Sequence, residues 1–236
     1  MVITYSGKSR KSAELLRGAL EDIGVNAQLN RGYTGDINWG RNRSGGLNPD
    51  ISNVTNKRRM RELFKENNVP MPRLVESPPY PFPIVGRPDQ HSKGKGFWKC
   101  HNIDEVRQAL RGRTYRNGKR KKAATHFMEY IEAPREYRVH IFQGKSIRIS
   151  EKAFGETGET TTGDYITKRP DPSHNIDHVR EAAKKAMEAV ELDFGAVDIL
   201  ADNENCWVLE VNAAPHLGGS LPRVYAKKFA DWYEEK

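Results

Sequence analysis

The chain has 236 residues, with 39 Lys and Arg against 31 Asp and Glu, which gives a formal charge of +8. Its hydrophobic fraction of 36% is low but sufficient for the core of one large domain or two small ones. No apolar run approaches the ~20 residues of a membrane helix, and no signal-peptide core follows Met1. Cys100 and Cys206 lie far apart without a CxxC pattern, which argues against a disulfide framework or a thiolate zinc site. The composition therefore predicts a soluble cytoplasmic protein.

The first 54 residues predict a small α/β unit. A short strand at Val2–Tyr5 precedes a helix that we expect Ser12 to cap and Gly24 to end. Further strands are expected near residues 27–29 and 37–39. Residues 40–54 are rich in Gly, Asn, Ser and Pro, which is typical of a connection between domains.

The rest of the chain predicts alternating helices and antiparallel strand pairs. We expect helices over residues 55–67, 102–110, 176–190 and 221–233. We expect strands around 84–85, 97–100, 126–131, 136–144, 145–154, 193–202 and 206–213. Residues 155–175 show no apolar periodicity, and so long a loop in a compact domain is usually functional.

The last strand pair places polar side chains between apolar ones. In CWVLEVNA, alternation puts Trp207, Leu209 and Val211 on one face, and Val208, Glu210 and Asn212 on the other. With a three-residue loop at 203–205, Asp198 would lie opposite Glu210. Two carboxylates and an amide suit Mg²⁺. A solvent-facing polar edge of a sheet fits the same pattern.

A second group of residues is basic and rich in glycine. Glycines allow backbone N–H groups to approach phosphate oxygens, while hydroxyl and guanidinium groups add donors. A mobile hairpin tip would also fit. The group comprises Arg87, Ser92, Gly94 and Gly96. Lys57 opens a predicted helix, a position that the helix dipole disfavours for a cation unless an anion is near.

A third segment, MEYIEAPREYR, interrupts a strand at Pro134. The interruption exposes backbone groups that could hydrogen-bond to a purine edge, and Glu136 could accept from two ribose hydroxyls. An ordinary strand, loop and strand would give the same sequence.

Taken together and in this order, residues 55–220 resemble the ATP-grasp superfamily. The resemblance rests on four segments, NKRRMRELFKENNVPMP, FPIVGRPDQHSKGKGF, MEYIEAPREYRVHIFQGKSIRISEK and FGAVDILADNENCWVLEVNAAP. The last is most similar to the hairpin of the ribosomal-protein glutamate ligases (RimK-like), and more distantly to that of D-alanine:D-alanine ligase. The resemblance implies an α+β ATP-grasp fold. It also implies ATP and Mg²⁺ as cofactors.

The resemblance also implies residue roles. Lys57, Arg87, Ser92, Gly94 and Gly96 would contact phosphates. Glu129, Tyr130 and Ile131 would form the adenine hinge, and Glu136 would bind ribose. Asp198, Glu210 and Asn212 would bind Mg²⁺, and Arg138 and Lys152 would face the transferred phosphate. Three features depart from the family: Arg87 replaces the usual lysine, Ala196 replaces the arginine of the D-alanine ligases, and the N-terminal unit is short.

The sequence thus predicts an N-terminal unit at 1–54 and an ATP-grasp domain at 55–236, with a lid at about 76–131 and a large subdomain at about 132–236. The predicted activity is an ADP-forming carboxylate–amine ligase that acts on an amino acid, peptide or protein terminus through an acylphosphate. Residues 107–122 contain eight basic and no acidic residues. They leave open an anionic partner, a nucleic-acid-binding or nucleic-acid-modifying function, or a merely solvated loop. A nucleotide-binding grasp fold without catalysis is a further alternative.

Overall fold

The computed structural model describes residues 1–32, 34–42, 44–89, 96–115, 118–133, 135–154 and 165–236. The helices are α1 Arg10–Glu21, α2 Ser52–Thr55, α3 Lys57–Glu66, α4 Ile103–Arg111, α5 Asp177–Ala189 and α6 Leu221–Glu234. The strands are β1 Val2–Tyr5, β2 Gln28–Asn30, β3 Ile37–Trp39, β4 Ile84–Arg87, β5 Trp98–Cys100, β6 Arg113–Thr114, β7 Arg120–Lys121, β8 His126–Glu129, β9 Arg135–Phe142, β10 Lys145–Phe154, β11 Tyr165–Lys168, β12 Phe194–Ala201 and β13 Cys206–Asn212. Within these ranges, no helix is long and apolar enough to cross a membrane.

The N-terminal segment forms a parallel sheet in the order β2-β1-β3, against which α1 packs. The expectation that Ser12 caps α1 is wrong. The helix begins at Arg10, and the Ser12 hydroxyl accepts a hydrogen bond from the backbone N–H of Leu217, 3.1 Å away. A distant backbone donor therefore occupies the side chain that local sequence assigned to the cap.

A single aromatic core joins this segment to the C-terminal helix. Trp39 stacks on Phe194, with ring centroids 5.3 Å apart, and meets the edge of Tyr225. Phe229 of α6 packs against both Phe194 and Tyr225. Since N-terminal and C-terminal residues share this core, the boundary at residue 54 stays a prediction.

The central sheet has five strands in the order β11-β10-β9-β12-β13, all antiparallel to their neighbours. Helix α5 covers one face, where its Val179 and Met187 pack with Val139 and Val197. Residues 165–168, which the sequence left in a loop, form strand β11 beside β10. Of the rest of that predicted loop, residues 155–164 lie outside the described residues, and residues 169–175 form neither helix nor strand.

A smaller antiparallel sheet, β5-β4-β8, lies with α4 in the segment that the sequence predicts to be a lid, and we keep the name lid for it. Trp98, Val106 and Phe127 are among the residues of its core. The short hairpin β6–β7 leaves the end of α4 and returns to this sheet. The lid therefore has a hydrophobic core of its own.

Two β-bulges, one in β13 and one in β10, determine which side chains share the open face of the central sheet. The β12–β13 loop spans four residues, so the expected three-residue loop is wrong. An irregularity at Leu209 restores the pairing of Asp198 with Glu210. The bulge in β13 also breaks the expected alternation, because Val208 and Val211 are buried while Leu209 is only half-buried.

Candidate functional site

Two ion pairs lie side by side on the central sheet. Arg138 of β9 is directly opposite Asp198 of β12, and its Nε and a terminal nitrogen donate to the two carboxylate oxygens at 2.7 and 2.8 Å. Lys152 of β10 is opposite Glu136 of β9 and donates to its carboxylate. Lys152 Nζ also lies 3.4 Å from Asp198 Oδ1. The two pairs therefore form one charged cluster.

Burial and charge set the protonation of this cluster. Asp198 is 4% exposed, and burial alone would favour its neutral form, but Arg138 and Lys152 outweigh this and lower its pKa. Burial works against the charged form of Lys152 too, yet Asp198 and Glu136 raise its pKa. Burial raises the pKa of Glu136. Of the two carboxylates Asp198 and Glu136, Glu136 is therefore the one that takes up a proton first as the pH falls.

The neighbouring strand extends the cluster. Glu210 lies opposite Asp198 and receives a hydrogen bond from Asn212 Nδ2 at 3.1 Å. Lys57 Nζ reaches Glu210 Oε2 at 3.4 Å. Lys57 opens α3, while the side chain of Asn56 caps that helix. Glu210 is thus the nearby anion that offsets the unfavourable position of the Lys57 cation at the start of a helix.

The donor set of Asp198, Glu210 and Asn212 fits a hard cation. Two carboxylates and an amide oxygen are ligands that Mg²⁺ accepts when water and phosphate complete its shell. Among the described residues no group of three His, Cys, Asp or Glu side chains could hold a metal. A metal here would depend on the Asn212 amide and on non-protein oxygens. It would also share Asp198 with Arg138 and Lys152.

The lid contributes a further cation. Arg87, at the end of β4, is half-buried, and burial lowers its pKa while the nearby carboxylates Glu210 and Glu136 oppose that shift. Its guanidinium lies 4.9 Å from the ring centre of Phe97. Gly96 follows the glycine-rich loop with a φ of +83°, which favours glycine. Ser92 and Gly94 lie outside the described residues.

The predicted hinge follows β8. The Glu129 backbone N–H donates to Arg73 O, and its carboxylate accepts from Arg73 N–H at 2.8 Å. The N–H of Tyr130 donates to Pro83 O. Ile131, by contrast, makes no backbone hydrogen bond to any residue in the described part of the chain. Ile131 therefore offers the backbone groups that an adenine edge would need.

Sequence reasoning missed a neutral polar pair beside the cluster. His140 Nδ1 lies 3.0 Å from Tyr225 Oη, and that hydroxyl donates to Gly195 O at 3.0 Å. Burial lowers the pKa of His140 to about 3, and nearby Arg138 adds to the effect. His140 therefore stays neutral, and donates through Nδ1 to the tyrosine oxygen. The 85-residue separation of the pair leaves no local sequence signal.

Sequence reasoning also missed a group of polar side chains that contact one another at the base of the glycine-rich loop. Arg61 of α3 donates to Asp89 Oδ1 at 2.9 Å, and His126 Nδ1 lies 3.2 Å from the same oxygen. Asp89 immediately precedes the part of the loop outside the described residues. The group ties α3 to both β4 and β8.

Solved structures share this fold. D-alanine–D-alanine ligase from Bacillus anthracis aligns with a TM-score of 0.68 and 15% identity, covering 100% of this chain and 96% of that one. The ATP-grasp ligase PsnB, complexed with minimal precursor, Mg and ADP, gives 0.67 and 13%, covering 98% and 96%. The macrocyclase MdnC from Microcystis aeruginosa gives 0.57 and 11%, covering 98% and 100%. The likeness defines an ATP-grasp fold and confirms the predicted α+β class.

The sequence places the chain more narrowly. The model of the RimK-like ATP-grasp domain matches residues 61–227, and the chain belongs to that family. The predicted enzyme class, an ATP-dependent carboxylate–amine ligase, is thereby confirmed. No curated protein sequence gives a significant match.

Proposed function

We propose that this enzyme activates a substrate carboxylate with ATP and joins it to an amine, with release of ADP and phosphate. The observation that carries the proposal is the composition of the cluster. Its carboxylates are Glu136, Asp198 and Glu210. Its cations are Lys57, Arg87, Arg138 and Lys152. The four cations exceed the three carboxylates by one positive charge. The cluster can therefore offset the charge of a polyphosphate that binds together with its divalent metal.

The nucleotide would lie between the lid and the central sheet. Ile131 would meet the adenine edge with its backbone, and the Glu136 carboxylate would accept from the ribose. Lys57 and Arg87 would contact the phosphates. Lys152 then has to exchange its contact with Glu136 for a phosphate oxygen. Its raised pKa keeps it charged for that exchange.

Magnesium is the metal that the donor set favours. Bound by Asp198, Glu210 and Asn212, it would offset the negative charge of the phosphates during transfer. Arg138 would keep the Asp198 carboxylate ionised and oriented through its two hydrogen bonds. PsnB, one of the structural neighbours, was solved with Mg and ADP, which supports this choice.

The reaction would proceed in two steps. A substrate carboxylate oxygen attacks the γ-phosphorus, the bond to the β-phosphate oxygen breaks, and ADP leaves an acylphosphate. An amine then attacks the acyl carbon, loses a proton and expels phosphate, which forms an amide. Arg138 and Lys152 would stabilise the charge on the transferred phosphate in the first step. They would also assist phosphate departure in the second.

We infer that both substrates are amino acids, peptides or protein termini. D-alanine–D-alanine ligase and PsnB with its precursor exemplify such substrates among the fold's neighbours. The test is ADP formation with a panel of amino acids and short peptides, scored by mass for a condensation product. We expect ADP only when both an acid and an amine are present.

Glu210→Gln provides the critical variant. It removes a charge from the metal-binding set and also the partner of Lys57, so ADP formation should fall at least about a hundredfold. Glu204→Gln is the matched control, because Glu204 lies exposed in the loop of the same hairpin. Equal turnover by both variants would show that the metal assignment is wrong.

A further inference from the structure

A second group of charged residues lies on the lid. We call it the basic arm and define it as the described residues 111–115 and 118–122, which contain six Lys and Arg residues and no Asp or Glu. It comprises the end of α4 and the hairpin β6–β7. Arg111, Arg113 and Arg120 are exposed.

Three arginines of the basic arm differ from three arginines on helices elsewhere on the surface. Arg10, Arg17 and Arg180 each lie within 4 Å of a carboxylate on their own helix. Arg111 and Arg120, in contrast, have no ion pair with any described residue. Arg113 packs on the ring of Tyr115, 5.0 Å from its centre, and also has no carboxylate partner in the described ranges. Arg111, Arg113 and Arg120 therefore bring positive charge to this surface with no carboxylate partner in the described ranges.

Apolar side chains are exposed beside this charge. Leu110 is 52% exposed and Ile103 is 41% exposed. They are seven residues apart on α4 and hence share one face of the helix. Leu110 directly precedes Arg111, so this apolar face adjoins the arm. A partner that combines acidic and apolar side chains would match both surfaces.

Aromatic rings in the arm do not favour nucleic acid. Binding of single strands relies on ring faces that are open to stacking bases. Arg113 packs on one face of Tyr115, and Lys121 lies 3.9 Å from the ring centre of Trp98, which is buried. Both rings near the arm therefore already carry a cation. Exposed leucine and isoleucine add nothing to phosphate recognition.

The arm is joined to the base of the glycine-rich loop. Trp98 Nε1 donates to Lys122 O at 2.9 Å. Lys122 Cβ also lies 3.9 Å from the position that a Cβ on Gly96 would occupy. A partner held by the arm would consequently lie on the same lid that we propose contacts ATP.

We propose that the basic arm and the exposed face of α4 form a docking surface for an acidic, leucine-containing segment of a polypeptide substrate. This proposal rests on the proposed ligase function, since it makes one substrate a peptide or protein. In this proposal the lid surface binds the polypeptide segment, and the central sheet carries out the ligase reaction.

The test measures binding of a fluorescein-labelled twelve-residue peptide of glutamate and leucine by anisotropy. The triple variant Arg111→Ser, Arg113→Ser and Arg120→Ser should weaken binding at least about tenfold, because three uncompensated charges are lost. Raising the salt from 50 to 300 mM should weaken wild-type binding. The matched control carries Arg10→Ser, Arg17→Ser and Arg180→Ser, with the same change in net charge, and should bind as wild type does.

Three outcomes would overturn the proposal. One is no binding of the acidic peptide, and another is equal binding of a peptide with glutamine in place of glutamate. The third is tighter binding of a twelve-nucleotide single strand, lost in the triple variant, which would assign the arm to nucleic acid. Glu210→Gln should leave peptide binding intact. If the triple variant loses the peptide but still forms ADP with small substrates, docking and catalysis are separate, so failure of either proposal is recognisable.

Discussion

Replacing Asp198 by asparagine tests the buried cluster most directly. The substitution keeps the shape of the side chain and removes its charge. Arg138 then loses one of two charge-assisted hydrogen bonds, and Lys152 loses a carboxylate at 3.4 Å. Removing one partner of a buried ion pair costs about 3–5 kcal/mol. Since Arg138 is 17% exposed and asparagine keeps one acceptor oxygen, we expect about 3 kcal/mol.

Urea denaturation at pH 7 measures this loss. Asp231→Asn on α6 is the control, because its carboxylate is half-exposed and lies 3.7 Å from Lys228. It should change the free energy of unfolding by less than about 0.5 kcal/mol. If Asp198→Asn costs as little as the control, the carboxylate contributes no net stabilisation and our reasoning is wrong.

The same variant predicts a pH dependence. The folded protein holds the pKa of Asp198 below its ordinary value of 3.8. Ionised Asp198 therefore stabilises the fold fully above that value, and its contribution disappears as the pH falls through the lower folded pKa. The stability difference between wild type and Asp198→Asn should narrow below about pH 4. A constant difference from pH 7 to pH 3 would contradict the assignment.

Three further predictions concern the surroundings of the cluster. Tyr225→Phe leaves His140 Nδ1 without its tyrosine partner and removes one hydrogen bond to the Gly195 carbonyl, and should lower the free energy of unfolding by about 1–3 kcal/mol in urea denaturation. The pKa of His140 is about 3, below the ordinary 6.5, so the unfolded chain binds more protons than the folded chain between these pH values. The free energy of unfolding should therefore fall as the pH drops from 6.5 toward 3. NMR should show no titration of His140 above about pH 5. Gly195→Ala would place a Cβ 2.8 Å from Asn212 O and should reduce ADP formation, whereas Gly18→Ala, with nothing within 4 Å, should not.

Much of the fold follows from local sequence. The helix expected over residues 55–67 forms as α3, and its apolar side chains Met60, Leu63 and Phe64 are all buried. Gln143 and Gly144 both adopt positive φ, as a two-residue hairpin requires. Such elements are specified by residues within one or two turns of each other. The sequence therefore predicts them without knowledge of the tertiary structure.

The composition of the site depends on distant pairings, which local sequence does not contain. Counted from the turn at 143–144, a regular hairpin would pair Glu136 with Glu151. An irregularity between Ser146 and Arg148 shifts the register by one, and Glu136 pairs with Lys152 instead. A like-charge pair is thereby replaced by an ion pair. No residue in this stretch is a glycine that would have signalled the bulge.

Strand β9 explains how a charged cluster and two cores coexist in one sheet. Its Tyr137, Val139 and Ile141 face α5, while Glu136 and Arg138 face the cluster. Farther along, Phe142 belongs to the aromatic core under α6. His140 lies at the transition on the cluster side, where its low pKa and its bond to Tyr225 keep it neutral. A charged side chain there would have to be buried against aromatic rings. The position of α6 thus limits how far the charged site extends, which is why its remaining ligands must come from β13, α3 and the lid.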